Sequence, residues 1–392
     1  MKLLPLCAIA GACLAFASPA VGCLNDRDTL AEEAKGLPDV VRVVTGRFER
    51  NPPLYYQMRI DRVAKDLTAH PDNLSEYNDI AVAYDRIGND DEAMEWMERK
   101  RAALEALPGR PSDHTDDWYT YWADIGTSRI HRWIRHGADR SNLSEPAQAQ
   151  REIAEALKIK PDAHFGRERY QLLTIDWLVN RPMNQYGNPG ELGDYILENT
   201  EYDRESMRRG LTGLVVLGNA WESADVFGAI GKSVHGYKEQ RMHNLCMLRV
   251  AELEASGHGP LSDLSELRSD WVRNLAKTDP DTAAQYRMLR READNWQANR
   301  TAFMLARLNA GRHPDTDPTF WNGYKDPGPP ELQMPLSRRI ELWGRPLLGM
   351  GWFSVWGFLV RLPVYLMLFL GVVIVNRAVR RIRRALAQRR EA

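Results

Sequence analysis

Strand signals are almost missing from this sequence, and that constrains its fold more than any other feature. Between residues 24 and 310 apolar side chains return every third or fourth position, the period of one helix face, with Pro and Gly as punctuation. One β-branched run interrupts the pattern, Val40-Val41-Arg42-Val43-Val44-Thr45, readable as one strand or as a helix turn. The expected fold class is all-α. A chain of 392 residues with 44% hydrophobic residues has ample material for a core, and 27% charged residues exclude a polytopic membrane protein.

One segment carries a specific spacing. Counting from Leu74, just after Pro71, the residues Tyr77, Ile80, Ala81 and Tyr84 fall at places 4, 7, 8 and 11 of a 34-residue unit. Gly88 closes the first helix, and Asn89-Asp90-Asp91-Glu92 opens the second, in which Ala93 and Met97 take places 20 and 24. Small Ala81 and Ala93 let two antiparallel helices touch, while Tyr77, Ile80, Tyr84 and Met97 fill the groove between them. Over residues 71–105 the chain resembles a tetratricopeptide repeat, the TPR family. It departs from that pattern at Lys100, where a small residue is usual, and at Glu105, where proline is usual. The resemblance implies stacked helical hairpins, an α-solenoid, and a concave groove for an extended protein or peptide ligand. In this frame the candidate groove residues are Ser75, Asn78, Val82, Asp85 and Arg86. Of these only Asn78 suits a clamp for a terminal carboxylate.

Weaker echoes follow. Ile153, Ala156, Leu157, Ile159 and Pro161 read as a second-helix ending whose first helix, near Trp122, lies too far upstream, which implies a loop insertion near residues 137–144. Pro280 and Pro314 are 34 apart with Tyr286, Leu289, Ala293, Ala302 and Ala306 in frame, but no glycine divides the unit. Residues 180–201 are rich in Pro and Gly and are expected to form a long loop. Six prolines between 311 and 335 predict an extended stalk, with Phe320, Trp321 and Tyr324 packing back on the last helices.

Both ends read as topological signals. Lys2, an apolar run through Phe16 and the small residues Ala20 and Gly22 predict a secretory signal peptide over residues 1–22. Cys23 is a candidate for lipidation. Residues 347–376 hold a single charge, Arg361, and from Ser354 they offer roughly 33 Å of helix, enough to cross a bilayer. Arg377, Arg380, Arg381, Arg383, Arg384, Arg389 and Arg390 follow, a tail that attracts anionic lipid and stays in the cytoplasm. The expected organisation is a signal peptide (1–22), a TPR-like body (23–311), a stalk (312–346), one C-terminal transmembrane helix with Arg361 inside it (347–376) and a basic tail (377–392), in a bacterial cytoplasmic membrane.

The formal net charge is −1; without the tail, Lys2 and Arg361 the exported body carries about −9, which speaks against nucleic acid as a partner. Of the cysteines only Cys23 and Cys246 would remain after processing, either as a pair or as a lipidated residue and a buried thiol. No zinc signature or Cys-x-x-Cys pair appears, and His131 and His136 are about 140° apart on a helix. Residues 228–233 imitate the end of a phosphate-binding loop, but Val226 stands where its first glycine belongs. No catalytic, metal or cofactor-binding residue is singled out, and no cofactor is expected. The expected role is a non-catalytic scaffold for protein or peptide partners in the cell envelope. The rivals are an envelope enzyme with a pocket near His114, Asp116 or His164, and a structural subunit of a membrane complex.

Overall fold

A computed structural model describes residues 24–180, 190–201, 203–234, 239–259, 261 and 279–330. The described residues to Pro327 belong to one compact unit, and of the second, Gly328–Ala392, only 328–330 are described. Among the described residues there are 13 α-helices and no strand. They are α1 (Arg27–Lys35), α2 (Val40–Thr45), α3 (Pro53–Ala69), α4 (Leu74–Arg86), α5 (Asp90–Ala106), α6 (Thr115–Arg135) and α7 (Ser144–Ile159). Then come α8 (Arg167–Asn180), α9 (Leu192–Glu198), α10 (Arg204–Leu217), α11 (Ala224–Ser233), α12 (Gln240–Ala255) and α13 (Pro280–Leu308).

From α3 to α8 each helix packs on the next, and α4 also reaches α6. The hairpin α4–α5 shows why. Ile80, Ala81, Ala93 and Met97 are fully or almost fully buried, Tyr77 nearly so, and Tyr84 packs at the edge of the same cluster. Burying a side chain the size of Ile80 or Met97 contributes about 1.5–3 kcal/mol. Gly88 takes φ 81° at the turn, a conformation that would strain a side chain, and the Asn89 amide bonds back to the Tyr84 carbonyl. Asp90, Asp91 and Glu92 then sit in the first turn of α5, where the helix dipole favours anions. Two large apolar cores result, beside a small cluster of Tyr119, Ala123 and Ala156. One joins α3–α6 with the end of α13, and the other runs from α2 and the end of α6 through α12. α13 closes the unit by packing on α2, α3 and α12.

Several sequence expectations are corrected. No helix among the described residues is long and apolar enough to cross a membrane, which overturns the fold class that ended in a transmembrane helix. The longest, α13, carries Arg and Glu along its length, and the apolar α10 and α11 are short and buried in the core. Residues 347–376 with Arg361, residues 1–22 and Cys23 lie outside the described residues. Residues 280–308 form one continuous helix and not a hairpin, because no glycine interrupts them. The first helix before α7 is the 21-residue α6, and the loop expected near residues 137–144 lies between Arg135 and Ser144. The run Val40–Thr45 is helical: Asp39 caps its start, Gly46 at φ 81° ends it, and Val43 and Val44 are fully buried. Within 180–201 the residues Leu192–Glu198 form α9, whose Gly193 sits so close to α11 that an added methyl would lie 2.7 Å from Lys232 Cγ; residues 181–189 lie outside the described set.

Residues 312–327 are no stalk. His313 stacks on Tyr55 at 4.5 Å, Asp315 bonds Arg59, and Phe320 is fully buried in the α3–α6 core. The boundary expected at residue 311 falls inside the compact unit.

Candidate functional site

The inner side of the helical array is polar, and the chain's own first described residues run along it. The main-chain N–H and the side chain of Asn25 both donate to Asp124 Oδ1 of α6 at 2.9 Å. The Arg27 main-chain N–H donates to Asp79 Oδ1 of α4 at 2.9 Å, and its side chain pairs with the same carboxylate. Arg167 of α8 donates to the Leu24 carbonyl at 3.3 Å. Arg59 of α3 donates to Asp26 and Asp28 at 3.2 and 2.9 Å. Leu24, Asn25, Asp26 and Thr29 are all buried, and Asp26 and Thr29 close a reciprocal cap that starts α1 at this point.

The side chains that form this inner face are charged and dry, so each depends on its neighbours. Burial pushes Asp124 up to about 7, against the bonds it accepts from Asn78 and Asn25. Burial pulls Lys100 down to about 8, against Asp117 and Asp124. Lys100 is fully buried and donates to Asn78 and to Thr120, the latter at 2.7 Å. A second cluster joins Asp85 to His131 Nδ1 at 2.7 Å and to Arg135 at 2.8 Å. Burial alone would raise Asp85, but the charges of His131 and Arg135 hold it well below the usual carboxylate range.

The expected groove residues therefore stand differently from a solvent-lined row. Ser75 is exposed and bonds Asn73. Asn78, Val82 and Asp85 are buried at 3%, 1% and 0% exposure, in contacts within the protein. Arg86, half-buried, donates to the Leu217 carbonyl at 2.8 Å and to Asn219. The open groove is corrected to packed side chains at Asn78, Val82 and Asp85, with Ser75 exposed and Arg86 half-buried. The side chains that engage residues 24–29 are Asp79, Asp124, Arg59 and Arg167, at positions the repeat frame did not mark. Their signal in the sequence is a charge on the otherwise apolar side of a helix, as at Asp124 between Ala123 and Ile125.

Beside the segment lies a cavity of about 450 Å³ between α1, α3, the end of α10 and the turn after α13. Tyr56, Trp221 and Trp321 give it aromatic walls. Most of its charges are paired: Lys35 with Glu32 and Glu49 at 2.9 and 3.1 Å, Arg300 with Glu49 at 2.6 Å, and Arg27 with Asp79. His114, Asp116 and His164 do not line it. Asp116 is exposed and pairs with Lys160 at 2.8 Å, and His164 is held by Glu33 and stacks on Tyr119. Among the described residues no cluster of His, Cys, Asp and Glu has the makings of a metal site. Cys246 is a buried free thiol, pushed up to about 12 by burial.

No family model, curated protein or solved structure matches this chain.

Proposed function

We propose that this chain is a non-catalytic helical-repeat scaffold that holds a protein segment along the inner face of its hairpins, in the position taken here by its own residues 24–29, the lead-in and first turn of α1. The supporting observation is the way that segment is held. Asp124, Asp79 and Arg167, from three different helices, bond main-chain groups of Asn25, Arg27 and Leu24. Main-chain recognition by fixed side chains accepts many sequences, and pockets such as the one around Leu24 add selectivity. The signal-like residues 1–22 favour work outside the cytoplasm, with envelope proteins as partners.

The probe is an acetylated peptide of residues 24–35, labelled with a fluorophore and added to the full chain. In the wild type the tethered segment competes at an effective concentration on the order of millimolar, so binding in trans is weak. With Asn25→Ala and Arg27→Ala in the chain, anisotropy should report saturable binding that Asp124→Ala removes. No saturable binding to the loosened chain contradicts the proposal.

A further inference from the structure

We propose that the 450 Å³ cavity is a binding site for an anionic ligand, a carboxylate- or phosphate-bearing molecule or chain end held by Arg50 and Arg86 against the indole of Trp221. This goes beyond the scaffold reading and uses different residues.

The placement of the two arginines carries the inference. Arg86 is the last residue of α4, and its guanidinium lies over the Trp221 ring at 5.3 Å. Arg50 follows α2, and its guanidinium lies over Phe48 at 5.3 Å. The rings of Phe48, in the core, and Trp221, in the cavity wall, are themselves 6.2 Å apart, and both cations line the cavity. Asn219 takes a left-handed φ of 65° and accepts from Arg86, which fixes that side chain from below.

Charge balance separates these two from the cavity's other cations. Arg27, Lys35 and Arg300 each have a carboxylate partner. Among the described residues Arg50 and Arg86 have none within ion-pair reach. Their bonds go to main-chain carbonyls and one amide oxygen, and Arg50 has only a long 3.4 Å bond to the Gly46 carbonyl. Arg50 Nε is buried with no hydrogen-bond partner. The acids of the cavity wall are paired with other cations, Asp28 and Asp315 with Arg59, Glu32 with Lys35 and Glu49 with Lys35 and Arg300, and Glu222 and Asp294 behind it pair with His258 and Arg290. Burial, then the charges of Arg249 and Arg290, pull Arg50 down to about 10, against Asp294 and Glu222. A half-buried guanidinium in such a place destabilises the fold unless an anion reaches it. A planar fork that matches carboxylate and phosphate oxygens, beside an indole wall, suits an anion with a flat or apolar body. The volume lies within the usual ligand-site range of roughly 300–1,000 Å³.

The test is calorimetry and thermal melting of the full chain with sodium phosphate, pyrophosphate or succinate at constant ionic strength. The expected result is saturable binding of at least one probe, with a melting temperature that rises with its concentration. Arg50→Gln and Arg86→Gln should each weaken that binding about tenfold or more, the worth of a charged hydrogen bond. Without ligand, Arg50→Gln should melt at or above the wild-type temperature, because it removes a repelled cation. That variant also keeps the test decisive if Arg86→Gln fails to fold. Pyrophosphate bound over succinate assigns a phosphate source, and the reverse order a carboxylate source. Absence of saturable binding by all three probes, or binding that survives Arg50→Gln, overturns the proposal.

Discussion

Arg59→Met is expected to cost about 3–5 kcal/mol of folding stability at pH 7, the usual loss when one member of a buried ion network is removed. Arg59 is fully buried and binds Asp26, Asp28 and Asp315, so it ties the first helix and the turn after α13 to α3. In the variant Asp26 stays buried without its cation, Asp28 loses its ion pair, and Asp315 is left with Arg62 at 2.6 Å. For a body of this size the melting temperature should fall by roughly 10 °C. The pH dependence has a definite sign. Burial raises Asp315, but the bonds and charge of Arg59 overcome it and hold the carboxyl at about 2. Its contribution is therefore present above the unfolded value near pH 4 and is lost only as pH falls toward 2. Asp26 is opposite: burial and Asp28 raise it to about 6, so it opposes folding as pH rises from about 4 through 6. Without Arg59 both Asp26 and Asp315 should move toward the protonated form, and the deficit against wild type should shrink between pH 7 and pH 4. Urea unfolding at the two pH values measures this. An equal deficit at both would mean the loss is packing alone.

Asp85→Ala carries the second large effect, expected at about 3 kcal/mol by urea unfolding. The substitution leaves His131 Nδ1 without its partner in a site where Nε2 already has none, and it removes one of the two carboxylates on Arg135. Asp85→Asn keeps an acceptor and should cost less than half as much. This pair distinguishes a solvent-facing ligand contact from a structural ion. An exposed groove residue would change stability by less than about 0.5 kcal/mol. The charge of Asp85 also sets a pH window. His131 and Arg135 outweigh burial and lower its pKa, so its contribution is full above pH 4 and declines only in strong acid.

What was legible in the sequence follows from distance along the chain. Tyr77, Ile80, Ala81, Ala93 and Met97 lie within one hairpin, and their spacing reports the packing that buries them. The polar face is different. Lys100 reads as a fault in the repeat, yet it bonds Asn78 and Thr120, residues 22 and 20 positions away. Arg59 meets Asp315 across 256 positions, and Arg167 meets Leu24 across 143. No local period encodes such pairs. The same reason hid the turn after α13, where six prolines suggest an extended stalk and Phe320 and Asp315 instead anchor the chain on the body. The helical frame counted from Leu74 picks out one side of α4, and that side is closed by other helices of the same chain, a fact of tertiary packing alone.

Hydrogen exchange of the Asn25 and Arg27 amides in the full chain tests the central claim most directly. Neither amide has a helical carbonyl acceptor; they donate to Asp124 and Asp79. The expected result is exchange slowed by roughly a hundredfold or more against a free peptide, with protection at Asn25 lost in Asp124→Ala and protection at Ile80 retained. Exchange of both amides at the free-peptide rate in the wild-type chain would show that residues 24–29 do not occupy the inner face, and the scaffold reading built on that face would fall.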